Sequence, residues 1–169
     1  MSKKPDIKEV MMAFEEKLTW VSAVVSTSVA AVYFSIILGE VRTVPAAEIA
    51  YQVPLLIAIG LLVVLTVIGA IVTAIVTAIG AAVTAEITGE GSAEDAVDDL
   101  DRMDERDADI NRRGELIGYY VTSAGAVGVM ALAMLRYDQF WIANALYLSF
   151  VVGALVASVA KLIAYRRGF

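Results

Sequence analysis

Residues 55–85 read LLIAIGLLVVLTVIGAIVTAIVTAIGAAVTA, about 31 consecutive positions without a single charged side chain. A helix of that length spans about 46 Å at 1.5 Å per residue, against a hydrocarbon core of about 30 Å. Such a run has no place on the surface of a water-soluble domain. Tilt absorbs only part of the excess, so the far end of this helix is expected to project from the bilayer or to be covered by protein.

Three further runs have the same character: Trp20 to Leu38, Leu116 to Leu135 and Phe140 to Ala164. None contains an acid, and Lys161, near an end, is the one charge in any of them. Over all 169 residues the hydrophobic fraction is 59% and the mean hydropathy +0.74, where soluble domains hold about 45–50% apolar residues. The expected fold is therefore an all-α polytopic membrane protein, one transmembrane domain over residues 1–169 with spans at 20–38, 55–85, 116–135 and 140–164. Pro54 opens or kinks the second span. The RYDQFW turn at 136–141 supplies aromatic residues for a membrane interface and Asp138 as a helix N-cap, making spans three and four an antiparallel hairpin.

Charge sets the expected orientation, because Lys and Arg near span ends stay on the cytoplasmic side. Of the 13 basic residues, Arg42 and Arg136 fall on one face, and the other eleven fall with the two termini and the central loop. Both termini are thus expected in the cytoplasm and the chain in the cytoplasmic membrane. Asp6, Glu9, Glu15 and Glu16 precede a run long enough to span, which reads as a retained first helix rather than a cleaved signal. Residues 1–19 place Ile7, Val10, Met11, Phe14 and Leu18 at helical spacing, an amphipathic helix suited to the interface or a plain extension of the first span.

Residues 86–115 form an acidic cytoplasmic loop with twelve acids and four arginines, a local balance of −8 within a net charge of −6. That sign argues against nucleic acid or anionic lipid as its partner. Val97, Leu100, Met103 and Ile110 lie near one helical face, and Asp98 with Arg102 and Asp109 with Arg113 are spaced for weak i,i+4 support, so the loop is expected to be helical. Asp98, Asp101, Asp104, Glu105, Arg106 and Asp107 are the candidates for docking a cytoplasmic protein. A solvated, self-paired helix is the simpler reading. A metal or carboxylate-based catalytic centre is chemically open but has no EF-hand pattern behind it. With no cysteine and no histidine, thiolate and imidazole ligands, a cysteine nucleophile and a histidine base are all excluded. No cofactor is expected.

Inside the membrane, helices meet through small residues. On the second span Thr66, Gly69, Ala70, Thr73, Thr77, Gly80 and Thr84 project to one side, with Ile68, Ile71, Val72, Ile75 and Ile79 opposite. The seam fits intramolecular packing, a subunit boundary or the lining of a narrow polar path. Ser22, Ser26 and Ala30 in the first span, Gly114, Gly118 and Thr122 in the third, and Gly153 and Ala157 in the fourth repeat the spacing. Asn144 is expected to hydrogen-bond between helices.

DERD at 104–107, followed by Ile110, Arg112, Arg113 and Tyr119-Tyr120, resembles an uncharacterised family of small prokaryotic four-span membrane proteins with a D-E-R-rich central cytoplasmic loop. The resemblance covers the loop and third span, about a quarter of the chain, and implies architecture only. The functional expectation is a non-enzymatic membrane protein, self-associating or an accessory subunit, that offers its acidic helix to a partner. The alternatives are a small oligomeric channel or transporter lined by Thr66, Thr73 and Thr77, and a metal-dependent enzyme at the membrane surface.

Overall fold

The computed structural model describes residues 7–88 and 105–167, with side chains at 14–80, 82–83 and 107–166. Four helices account for most of them: α1 (Ile7–Glu40), α2 (Gln52–Thr88), α3 (Glu105–Met134) and α4 (Gln139–Arg167). All four are long and apolar enough to cross a membrane, and no strand occurs among the described residues. The chain is a multi-pass helical membrane protein. In hydrocarbon no water can satisfy an exposed amide, so each span closes its own backbone hydrogen bonds, glycines included.

The helices run longer than their apolar cores. No glycine or proline lies between Ile7 and Leu38, so nothing interrupts α1 at Thr19. Residues 7–19 and the first span are one continuous helix. Gly39 and Pro45 then close it, with the Val41 amide donating to the Ile37 carbonyl at 3.2 Å. A short 3-10 turn at Ala46–Glu48 leads to α2, where Pro54 sits in the first turn and forfeits no intrahelical bond. Of the acidic loop, residues 86–88 end α2 and residues 105–115 begin α3. Asp98, Asp101 and Asp104 lie outside the described residues.

The α3–α4 turn is a Schellman closure. The Tyr137 amide donates to the Leu132 carbonyl at 3.1 Å and the Arg136 amide to the Ala133 carbonyl at 3.1 Å, with Arg136 left-handed at φ 57° where glycine is usual. Asp138 occupies the N-cap of α4, and its carbonyl accepts from the amides of Trp141 and Ile142.

The helices stand in a row, α2–α1–α4–α3: α1 packs on both α2 and α4, α4 packs on α3, and no packed interface joins α2 to α3 among the described residues. Two kinds of contact hold the row together. Between α3 and α4 the backbones nearly touch: a Cβ built on Gly118 would lie 2.7 Å from the Gly153 carbonyl oxygen and 2.8 Å from Ala157 Cβ. One on Gly125 would clash with Ser149, and one on Gly153 with Thr122. The small residues of spans three and four are thus each other's partners.

Between α1 and α4 the contact is aromatic. The Tyr33 ring meets Tyr147 edge-on at 5.3 Å and Phe34 at 5.2 Å. The Tyr33 hydroxyl donates to Asn144 Oδ1 at 2.7 Å, and Asn144 Nδ2 donates to the Phe140 carbonyl at 2.8 Å. Asn144 is indeed an interhelical tie. This cluster, with Phe140 and Ile37 fully buried, anchors the end carrying the two short connections, here called the turn end. The opposite, termini end carries the start of α1 and the close of α4.

Candidate functional site

The residues singled out on α2 divide cleanly. Thr73 and Thr77 are buried and Thr66, Gly69 and Ala70 half-buried, while Ile68, Ile71, Val72, Ile75 and Ile79 are exposed. A Cβ on Gly69 would strike Val21 of α1, whereas one on Gly80 meets nothing described within 4 Å. Thr84 is placed in the helix backbone only. The threonine hydroxyls turn back on their own helix: Thr66 donates to Leu62, Thr73 to Gly69 and Thr77 to Thr73, at 2.7–2.8 Å. Satisfied this way, a hydroxyl rides in an apolar contact without an unpaired donor.

The loop acids separate as well. Glu105 and Arg106 begin α3. Asp107 is 2% exposed and Ile110 is buried beside it on the same face, so Asp107 turns into the protein. Asp109 and Arg113 form an exposed pair at 2.8 Å, the i,i+4 contact expected from their spacing.

What the chain does assemble is a polar cavity of about 300 Å³ at the termini end, lined from all four helices. Glu15 and Thr19 of α1, Asn111 and Glu115 of α3, and Ser158 and Lys161 of α4 form its wall, and Thr66 of α2 completes it. Asn111 Nδ2 donates to Glu15 Oε2 at 3.3 Å, tying α3 to α1. Lys161 Nζ donates to Glu115 Oε1 at 3.4 Å, tying α4 to α3. The two partners differ in setting, with the Lys161 side chain 16% exposed and the Glu115 side chain 73%. Both contacts are long for charge-assisted hydrogen bonds, which run about 2.7–2.9 Å.

The depth of this layer follows from helix geometry. Glu15 is 22 residues from Ile37, Glu115 is 19 from Met134, and Lys161 is 22 from Gln139. At 1.5 Å per residue these separations are about 28–33 Å, one hydrocarbon thickness. The charges therefore lie at the opposite interface from the aromatic turn end. Thr66, 14 residues from Gln52, reaches about 21 Å and marks the deeper floor of the cavity.

A second cavity, of about 280 Å³ at the turn end, is lined by apolar residues such as Phe34, Leu132, Trp141 and Leu148. Among the described residues no group of three or more acids stands close enough to hold a metal ion. Sequence reading missed the polar cavity because its members come from positions 15, 66, 111, 115, 158 and 161. One usable signal was there: Glu15, Glu115 and Lys161 are all about one bilayer thickness from the far end of their own runs. No protein-family model matches the chain, and no curated protein or solved structure matches it.

Proposed function

We propose that this chain is a non-enzymatic protein of the cytoplasmic membrane, with both termini inside, that works as a self-associating subunit. It presents its acidic segment beyond Thr88, including Asp98, Asp101 and Asp104, to a soluble partner. One observation carries the self-association. Ile75, Val76, Ile79 and Val83 are each about half exposed or more on α2, and they lie 23 to 31 residues beyond Gln52, about 34–46 Å along the helix. That is past a hydrocarbon core of about 30 Å, and holding all 37 residues of α2 inside it would need a tilt well beyond the roughly 40° seen for spans. Apolar surface left in water costs about 25 cal/mol per Å². A second copy of the same face is the simplest cover, since isologous contacts close as dimers.

What tells against a pore lined by Thr66, Thr73 and Thr77 is that their hydroxyls are already bonded to carbonyls within α2. Counting labelled subunits by photobleaching, in bilayers at low protein density, tests the reading. More than one copy per particle is expected, falling to one when Ile75 and Ile79 are both replaced by Glu. A wild-type protein that is monomeric at every density would refute self-association.

A further inference from the structure

We propose that the polar cavity at the termini end is a binding site for a phosphoethanolamine headgroup, with the phosphate on Lys161 and the primary ammonium on Glu15. The inference is independent of self-association. Three features of the site point to it.

The first is charge. Glu15, Glu115 and Lys161 sum to −1 in a cavity of about 300 Å³. Lys161 has Glu115 at 3.4 Å, but the described contacts of the Glu15 carboxylate are to the neutral Asn111 amide alone. A ligand that brings a cation for Glu15 and an anion for Lys161 satisfies both and leaves Glu115 in its largely exposed position. A simple anion meets two carboxylates and is repelled; a phosphoethanolamine zwitterion carries both charges a few bonds apart.

The second is depth. The charged wall stands about one hydrocarbon thickness from the turn end, at the level where phospholipid headgroups lie. Thr66 and Val21 line the deeper part, where the glycerol and first acyl carbons of a lipid would follow the headgroup down. Thr19, Thr66 and Ser158 spend their hydroxyls on the carbonyls of Glu15, Leu62 and Ala154, so the polar recognition falls to Glu15, Lys161 and Asn111, with the Ser22 hydroxyl beside them.

The third is access. α2 and α3 form the two ends of the row and share no packed interface among the described residues, so no packed pair of described helices closes the cavity between them. A headgroup can arrive laterally from the leaflet without parting any packed pair of helices. Lys161 itself is held in place: its Cγ lies where a Cβ on Gly114 would be, so the glycine gives the lysine stem its channel along α3. Its side chain is mostly covered and its amine is delivered to the cavity.

The test uses the full-length protein reconstituted in nanodiscs of phosphatidylethanolamine, phosphatidylglycerol and phosphatidylcholine in equal parts, released into native mass spectrometry to count retained lipids. Selective retention of phosphatidylethanolamine is expected, reduced about tenfold in Glu15→Gln and in Lys161→Gln, since each removes one charge-assisted hydrogen bond. Glu48→Gln, in the 3-10 turn, should retain lipid like the wild type. Adding free glycerophosphoethanolamine distinguishes the sources: competition assigns the headgroup alone as ligand, and failure to compete assigns the intact lipid, both on the same site. Equal retention of the three lipids by the wild type would overturn the proposal, as would undiminished phosphatidylethanolamine retention in both variants. The wild-type comparison stands even if a variant fails to fold.

Discussion

Gly118→Ala is the perturbation that most sharply probes the α3–α4 contact. The added Cβ would sit 2.7 Å from the Gly153 carbonyl oxygen and 2.8 Å from Ala157 Cβ, whereas carbon atoms are comfortable at about 3.5–4.0 Å. Both obstacles belong to the helix itself, a backbone oxygen and a Cβ, so no rotamer change relieves them. The two helices must separate by roughly 0.5–1 Å along the seam, a gap that forfeits a quarter to a half of each contact's dispersion energy. For on the order of 40 atom pairs at about 0.15 kcal/mol each, losing a third costs about 2 kcal/mol, within the usual range for overpacking. Gly128→Ala on the same helix is the reference, because a Cβ there meets nothing within 4 Å. Any gain in helix propensity is common to both variants and cancels in the comparison. Steric trapping in bicelles, with biotin pairs placed on α3 and α4, reads the unfolding free energy. Gly118→Ala is expected to fall about 2 kcal/mol below Gly128→Ala. Equal stabilities would mean the helices do not approach this closely, and the row α2–α1–α4–α3 would lose its tightest joint.

Two tyrosines in one cluster should respond in opposite senses. Tyr33→Phe removes the donor to buried Asn144 Oδ1 and should cost about 1–2 kcal/mol, while the Tyr147 hydroxyl is buried with no hydrogen-bond partner among the described residues, so Tyr147→Phe should be neutral or stabilising by about 1 kcal/mol. The same trapping assay ranks them, and an equal loss in both would show that Tyr147 has a polar partner. Arg136→Gly relieves a left-handed φ of 57° and should raise stability by about 1 kcal/mol; a loss would mean that the arginine side chain contributes more than its backbone strain costs.

Much of the architecture was legible because lipid imposes a simple rule. A run such as residues 55–85 can only be a helix when every amide must find its partner within the segment. The small-residue spacing of Gly114, Gly118, Gly153 and Ala157 marked the seams as well. It could not say which seam meets which, because periodicity fixes the face of a helix and not its neighbour. That is why the α2 threonines remained open between a pore, a subunit boundary and packing within the chain. Residues 1–19 stayed open between an interfacial helix and an extension of the first span because amphipathic and fully apolar sequence are both good helix, and no glycine or proline divides them after Ile7. Tyr33 and Tyr147 read as ordinary apolar-run residues until α1 and α4 brought them together. The cavity of Glu15, Asn111, Glu115 and Lys161 was hardest to see, since its members lie up to about 146 positions apart and share only their depth.

The chain lacks cysteine, so single cysteines can be placed one at a time and their exposure read directly. In intact cells, a membrane-impermeant maleimide should label Glu48→Cys at the turn end, leave Asp109→Cys at the termini end unlabelled until the membrane is opened, and leave Ile68→Cys in mid-span unlabelled throughout. Labelling of Asp109→Cys from outside would reverse the orientation proposed here. Ready labelling of Ile68→Cys in sealed or opened membranes would contradict the account at its root, because that side chain would then stand in water and not in hydrocarbon.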